Sequence, residues 1–473
     1  MTSTNASPNS DEHFSIPDLI FENRSRLDAM HFDAVDQYGS GFHIIVAKTA
    51  HRLGKPDSSG VALLTPSPTP ARLLTTDLYF ESGDSKGVRQ ESDLAPFKPK
   101  CDVIVNAVAY APSGKPARKF GVRLTLADPD QKKNRLLIEK TLSICGERSF
   151  ERKSLGLRTV QSTIKIASLG TISGAPWRLN ESDKFTQLPV RYEYTHGGEC
   201  RINADDSSVE NLPKSVLIPR TTEAKADRQS HAGDAVAHDS CPSNPIGRGF
   251  VRGWYLTVKK TVALPAPRIT YQQTPCDVRH LIKVAGGGEL PAPAGFGCVG
   301  RGWMPRRALV GNFPEQSQWN EDDVPMLPMD FDFGYWNSAP VDQQCDFLAG
   351  GEQFSLTNLC KHDHPSATVD AKGNTQLRFT LPHQAFVLLT TDVDDKLFVL
   401  RLQIDTVVVD PDAATVELAW RLCVAADGTL RKSRLIHVTE AAQLERLRVL
   451  EEVQETLSNS QAEAIPTVEK ASK

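Results

Sequence analysis

Several groups of residues have the types and spacing that chemistry uses. A G-x-G-x-x-G string, Gly295, Gly297 and Gly300, would suit a dinucleotide pyrophosphate if a strand ran into it and a helix ran out. PAPA precedes it and RGWMPRR follows, and proline in both flanks argues against either element, so tight turns are expected instead. Cys360, His362, Asp363 and His364 in CKHDHP are metal-ligand types. Only alternate residues of an extended loop can face one ion, and no second ligand pair is nearby, so the segment reads as a solvated loop. No metal and no cofactor is assigned.

The acids form the other group. Glu193 stands in RYEYTHGGE, Asp330 and Asp332 in MDFDFGYW, Asp342 in VDQQ and Glu352 in AGGE. A glycosidase needs two carboxylates across a cleft with sugar-stacking rings, and Glu193, Asp332 and Trp336 are the set such a site would use. The favoured reading has these acids accepting loop amides and pairing with Arg191, Arg248 or Arg306 to fix irregular turns. No GxSxG elbow, Walker loop, HExxH or CxxC occurs. The chain is therefore read as a non-enzyme, with a carbohydrate-active or carbohydrate-binding protein as the alternative.

The elements that must position these residues read as mainly β, antiparallel sandwich-like or barrel-like sheets in two parts, 14–180 and 185–435. Expected strands are Gly41–Thr49, Cys101–Tyr110, Lys119–Leu126, Arg135–Cys145 and Arg158–Ala167. Val122, Leu124 and Leu126 alternate with Arg123 and Thr125, and VIVNAVAY with FGVRLTL reads as an antiparallel hairpin. A second hairpin joins LRLQID to TVELAWRL, with Val416, Leu418, Trp420 and Leu422 on one face and Glu417 and Arg421 on the other. Residues 201–243 have the composition of a flexible insertion, and 244–340 that of an irregular Gly/Pro/Trp-rich middle. One amphipathic helix is expected over 439–458, N-capped by Thr439, with Leu444, Leu447, Leu450, Val453 and Leu457 recurring along one face. It docks on this chain or on a second protein. Polar tails, 1–13 and 459–473, flank the whole.

Composition narrows the partners. A formal charge of -4, with cations scattered among acids, leaves no footprint for a phosphate backbone, so nucleic acid is not expected. Nine cysteines, an odd number without CxxC pairs, suit reduced thiols. MTSTNASPNSDEHFS lacks the basic and apolar regions of a secretory signal, and no window approaches the ~18 apolar residues that span a bilayer. Cytoplasmic residence without membrane insertion is the expectation.

An ordered series of segments carries a resemblance: SDLAPFKPKC, YAPSGKP, LPVRYEYTHGGE around Glu193, NPIGRGF with Asn244, Pro245, Gly247, Arg248 and Gly249, and PAGFG. DFDFGYWNSAPVDQQ follows, containing Asp330, Asp332, Asn337, Asp342, Gln343 and Gln344, then GGEQFSLTNL with Glu352, FTLP and DTVVVD…ATVELAWRL. The chain resembles a domain-of-unknown-function family encoded beside spike (VgrG-like), PAAR-type and toxin genes in type VI secretion clusters. It departs from that pattern at Thr195 and His196, where an Ala-Phe-like pair is usual, and in the long insertion before NPIGRGF. The resemblance implies an adaptor or chaperone for an effector toxin, with the spike or PAAR-type protein as a further possible partner, and supplies no catalytic motif. Trp303, Arg306, Arg307, Phe333, Tyr335 and Trp336 are the candidate anchors, since aromatic and arginine side chains dominate such interfaces. An exposed edge strand is a second way to bind an extended segment.

Overall fold

A computed structural model describes residues 16–80, 87–129, 135–152, 177–218, 235–274, 276–312, 327–392, 396–438 and Arg446. The fold is mainly β. Its centre is a 13-stranded mixed sheet. In spatial order the path runs Ile269–Tyr271, Leu136–Cys145, Lys119–Ala127, Gln353–Thr357, Thr375–Thr380, Ala62–Pro66, Gly41–Pro56, Thr415–Ala425, Gln403–Asp410, Cys101–Val105 and Gln344–Cys345. Asp28–Val35 adds to Gly41–Pro56, and Thr368–Val369 to Thr375–Thr380. Strands from before and after residue 180 thus share one sheet. A 4-stranded sheet, Ile20–Asn23, Leu430–Val438, Ala385–Asp392 and Leu397–Arg401, accompanies it.

Side-chain alternation sets the register. In Lys119–Ala127, Phe120, Val122, Leu124 and Leu126 are buried while Lys119, Gly121 and Arg123 are exposed. A slip of one residue would turn all four out, at about 1.5–3 kcal/mol for each large apolar side chain. The core they enter includes Ile45, Val103, Leu356, Leu418 and Trp420, with the rings of Phe354 and Phe379 stacked at 4.8 Å. Trp420 also donates Nε1–H to Thr49 Oγ1 at 3.1 Å, which satisfies the only polar atom of a fully buried indole.

A hairpin onto Thr415–Ala425 does form, but its first strand is Gln403–Asp410, six of whose eight residues are buried in a row, whereas Leu400 and Arg401 of LRLQID belong to Leu397–Arg401 in the 4-stranded sheet. Arg421 does lie opposite the apolar face, but it is buried, where it pairs with Asp405 and donates to the carbonyls of Asp93 and Ala95. The hairpin expected between VIVNAVAY and FGVRLTL does not form. Lys119–Ala127 pairs with Leu136–Cys145 and Gln353–Thr357, while Cys101–Val105 runs parallel to Gln403–Asp410. All five residues of Cys101–Val105 are buried, the mark of a strand covered on both faces rather than half of a surface hairpin. Val108–Tyr110 turns away to pair with Gln187–Pro189.

Within the segment expected to be an insertion, Glu199–Asn203 and Ala235–Ser240 pair antiparallel. Among the described residues the irregular middle carries two α-helices that the sequence did not predict, Gly253–Val258 and Val278–Ala285. Asp277 caps the second through the amides of Arg279 and His280, and its apolar face joins Phe150, Trp177 and Phe250 in a second core. The strand expected over 158–167 lies outside the described residues, as does the C-terminal helix apart from Arg446, which is helical and exposed. All nine cysteines are unpaired, eight of them buried.

Candidate functional site

A carboxylate inside a sheet must find donors. Asp102, fully buried in Cys101–Val105, finds them in the loop that follows DFDFGYW. It accepts from Asn337 Nδ2 at 3.0 Å, the Ser338 amide at 2.8 Å and the Ala339 amide at 3.2 Å, and pairs with Lys98 Nζ at 2.9 Å. Six residues on, Gln343 Nε2 donates to the carbonyls of Val103 at 2.7 Å and Phe296 at 3.0 Å. Its Oε1 accepts from Lys140 Nζ, which also pairs with Asp342 Oδ1, each at 2.8 Å. Burial pushes the Lys140 ammonium down to about 8, with Asp342 opposing the shift. Gln344 Nε2 ties back to the carbonyl of Ala339 at 2.8 Å. Asn337, Asp342, Gln343 and Gln344 therefore act together to fasten one loop to the sheet.

The aromatic turn ahead of that loop is held from below. Asp332 caps it by accepting the Gly334 amide at 2.7 Å, and Asp330 accepts the Asn312 amide at 2.9 Å. Phe331 meets Phe333 and Tyr335 edge-on at 5.2 and 5.9 Å, and Tyr335 meets Trp336 at 5.3 Å. Arg306 is only 4% exposed. Its guanidinium grips Glu91 in a two-pronged pair, with Nη2 to Oε2 at 2.8 Å, and donates to the carbonyls of Tyr335 and Val299. As an anchor for a partner Arg306 is thus corrected: it supports the surface from inside, because a guanidinium beside a buried glutamate is satisfied there. Trp303 is half-buried, edge-on to Tyr192 at 5.3 Å. Phe333, Tyr335 and Trp336 are half-buried, and Arg307 is exposed.

NPIGRGF forms a second fastening. Asn244 Nδ2 lies within 3.0 Å of Tyr192 O, Thr195 Oγ1 and His196 O. Pro245 sits in the turn that Asn244 opens, and a Cβ on Gly247 would come 2.7 Å from the Gly197 Cα. Arg248 and Gly249 bridge to His196 and Gly197, and Arg248 Nε donates to the carbonyl of Glu193 at 3.2 Å. Glu352 accepts the amides of Ala349 and Gly350 at 2.9 and 3.0 Å. The acids do fix turns, and two of the expected arginines pair with acids outside the motifs: Arg248 takes Glu147 and Arg306 takes Glu91, while Asp342 takes Lys140.

Between these fastened loops lies a hollow of about 530 Å³. Its lining is largely apolar, including Pro242, Leu290, Leu309 and Ala339, with Met304 and Val341 also facing it. Met304 is 40% and Val341 75% exposed. Glu193 and Asp332 do not line it. Glu193 lies instead against Gly87, whose Cβ position is 3.1 Å from Glu193 Oε1.

A family model for an uncharacterized protein conserved in bacteria, DUF2169, matches residues 40–421. The chain belongs to the DUF2169 family. No curated protein and no solved structure gave a match. The DUF2169 region contains both fastenings and every residue that lines the hollow.

The remaining motifs have plain places in the DUF2169 fold. Gly295 and Gly300 pack under rings: a Cβ on either would come 2.8 Å from Tyr192 or Trp303. In CKHDHP, Cys360 is buried, His362 and Asp363 are exposed, and His364 Nδ1 accepts the Ser366 amide at 3.2 Å. Among the described residues the close set of ligand types is elsewhere, His31, Asp33 and His43. Sequence reading missed it because Asp28–Val35 was not recognised as a strand; the available signal was His-x-Asp at the two-residue period of one strand face. No helix among the described residues is long and apolar enough to cross a membrane.

Proposed function

We propose that this chain is a cytoplasmic adaptor or chaperone that binds and stabilises a cognate type VI secretion effector and promotes its loading onto the spike complex, acting by binding rather than catalysis. The observation that carries the reading is the apolar hollow of about 530 Å³ whose walls are loops fastened by buried polar side chains. A surface held in advance loses little entropy on association, so more of its apolar burial appears as affinity. Exposed Met304 and Val341 supply apolar contact at the mouth, and the half-buried aromatic turn beside it is material for an interface of about 800 Å² per partner.

Co-expression with a candidate type VI secretion effector from the same genome, followed by size exclusion, is the direct test. The expected result is one co-eluting complex and a higher soluble yield of toxin. Independent migration with unchanged yield would overturn the reading. A three-way experiment adding the spike or PAAR-type protein tests the loading step.

A further inference from the structure

The strand pair Asp28–Val35 and Gly41–Pro56 carries a feature that the adaptor reading does not use. We propose that His31 Nε2, Asp33 Oδ1 and His43 Nδ1 bind one divalent transition-metal ion of the zinc class, leaving at least one coordination position open to solvent. Asp33 lies directly opposite His43 in the ladder, and His31 precedes Asp33 by two residues on the same face. Asp33 Oδ1 is 3.0 Å from His31 Nε2 and 2.8 Å from His43 Nδ1, and the two ring nitrogens are 3.2 Å apart.

Those separations are short enough for one ion to touch all three atoms, and although each also lies in hydrogen-bond range, three hydrogen bonds cannot form there together. An ion ~2.1 Å from each ligand atom holds neighbouring ligands roughly 3.0 Å apart at right angles and roughly 3.4 Å apart in a tetrahedron. Without one, both ring nitrogens address the same carboxylate oxygen. Two N–H groups there would press their hydrogens together across the nitrogen contact, and a ring lacking its hydrogen would turn a lone pair toward the carboxylate. A cation replaces the shared hydrogens and accepts all three lone pairs. Two imidazoles and one carboxylate with open positions are a transition-metal ligand set; oxygen-preferring ions such as magnesium are disfavoured.

The site is also held and reachable. His43 is buried in a strand flanked on both sides, by Asp28–Val35 and by Thr415–Ala425, so its ring has little freedom. The Asp33 side chain is 38% exposed and gives the ion an entry path. Bound there, the ion would clamp Asp28–Val35 to its neighbour.

The test uses the full chain without a histidine tag, stripped with chelator and titrated with zinc chloride by calorimetry. One zinc per chain is expected, with no heat from magnesium chloride. His31→Ala and Asp33→Asn should each weaken binding by at least about tenfold, while the His362→Ala/His364→Ala double variant binds as before. X-ray absorption on the zinc-loaded wild-type chain needs no variant to fold: a shell of nitrogen and oxygen with imidazole scattering is expected. Absence of zinc binding, affinity unchanged by both substitutions, loss in the His362/His364 variant, or a sulfur shell at about 2.3 Å would each overturn the assignment.

Discussion

Lys98 Nζ sits 2.9 Å from Asp102 Oδ2 inside the sheet, and the same carboxylate oxygen receives the amide of Ser338 at 2.8 Å. One buried acid thereby couples a strand, the segment before it and a loop more than two hundred residues away. Asp102→Asn removes the nearest counter-charge of a buried ammonium and should cost about 3–5 kcal/mol. Urea denaturation measures it; Lys98→Met combined with Asp102→Asn should recover part of the loss, and a cost equal to that of a surface substitution would refute the coupling.

His196 supplies an acid sensitivity. Its ring is buried, neither nitrogen finds a hydrogen-bond partner among the described residues, and burial pulls its pKa down to about 4. The unfolded ring takes up a proton near its ordinary value while the folded ring resists, so stability is lost as pH falls from about 6.5 toward 4. The loss at about pH 5 should be near 2 kcal/mol. His196→Phe should flatten that part of the stability profile, and an unchanged acid limb in thermal melts would count against it.

Lys140 acts on the alkaline side. Its folded pKa lies below that of the unfolded chain, so burying the charge costs stability below about 8, and the cost is relieved as pH rises from there toward 10.5. The difference in stability between wild type and Lys140→Met should therefore change by up to about 3 kcal/mol in favour of wild type across that window. Parallel curves from chemical denaturation would contradict this.

Gly295 lies against the Tyr192 ring, and Gly295→Ala places a methyl 2.8 Å from ring carbons. Overpacking of this kind costs about 1–3 kcal/mol. A lowered melting temperature is expected, recovered in part by Tyr192→Leu.

At the hollow, Val341→Asp and Met304→Asp put charge where apolar contact is proposed. Each should lower effector affinity by about thirtyfold or more, equivalent to a hot-spot loss of about 2 kcal/mol, with the melting temperature held. Unaltered pull-down of the effector by both variants would move the docking surface elsewhere.

Alternation made part of this fold readable in advance. Val122, Leu124 and Leu126 announced their strand, and Val416, Leu418 and Trp420 theirs, but the alternation of LRLQID places the strand before the DPDAA turn too early, because Gln403–Asp410 is buried without alternation and Leu400 and Arg401 belong to another sheet. Cys101–Val105 did not reveal its neighbour, because a strand buried on both faces has no alternation and its parallel partner is remote. Helix Val278–Ala285 was hidden by surrounding Gly and Pro, although Asp277 with Leu281, Val284 and Ala285 carried its cap and its apolar face. The motif residues of NPIGRGF and DFDFGYWNSAPVDQQ were legible as turn-fixing groups, but their partners were not. The burial of Arg306 depends on Glu91, which only the folded chain brings near.

The pairing of Gly41–Pro56 with Thr415–Ala425, from Arg52 opposite Thr415 to Phe42 opposite Ala425, has a consequence for biogenesis. During synthesis the amino-terminal strand leaves the ribosome long before its mate exists, and an early fragment carries an apolar edge that nothing yet covers. Chains built on such remote pairings fold slowly and expose sticky intermediates. Truncation anywhere before residue 425 removes part of the mate, so shortened forms of this protein should accumulate as aggregates rather than as smaller working units.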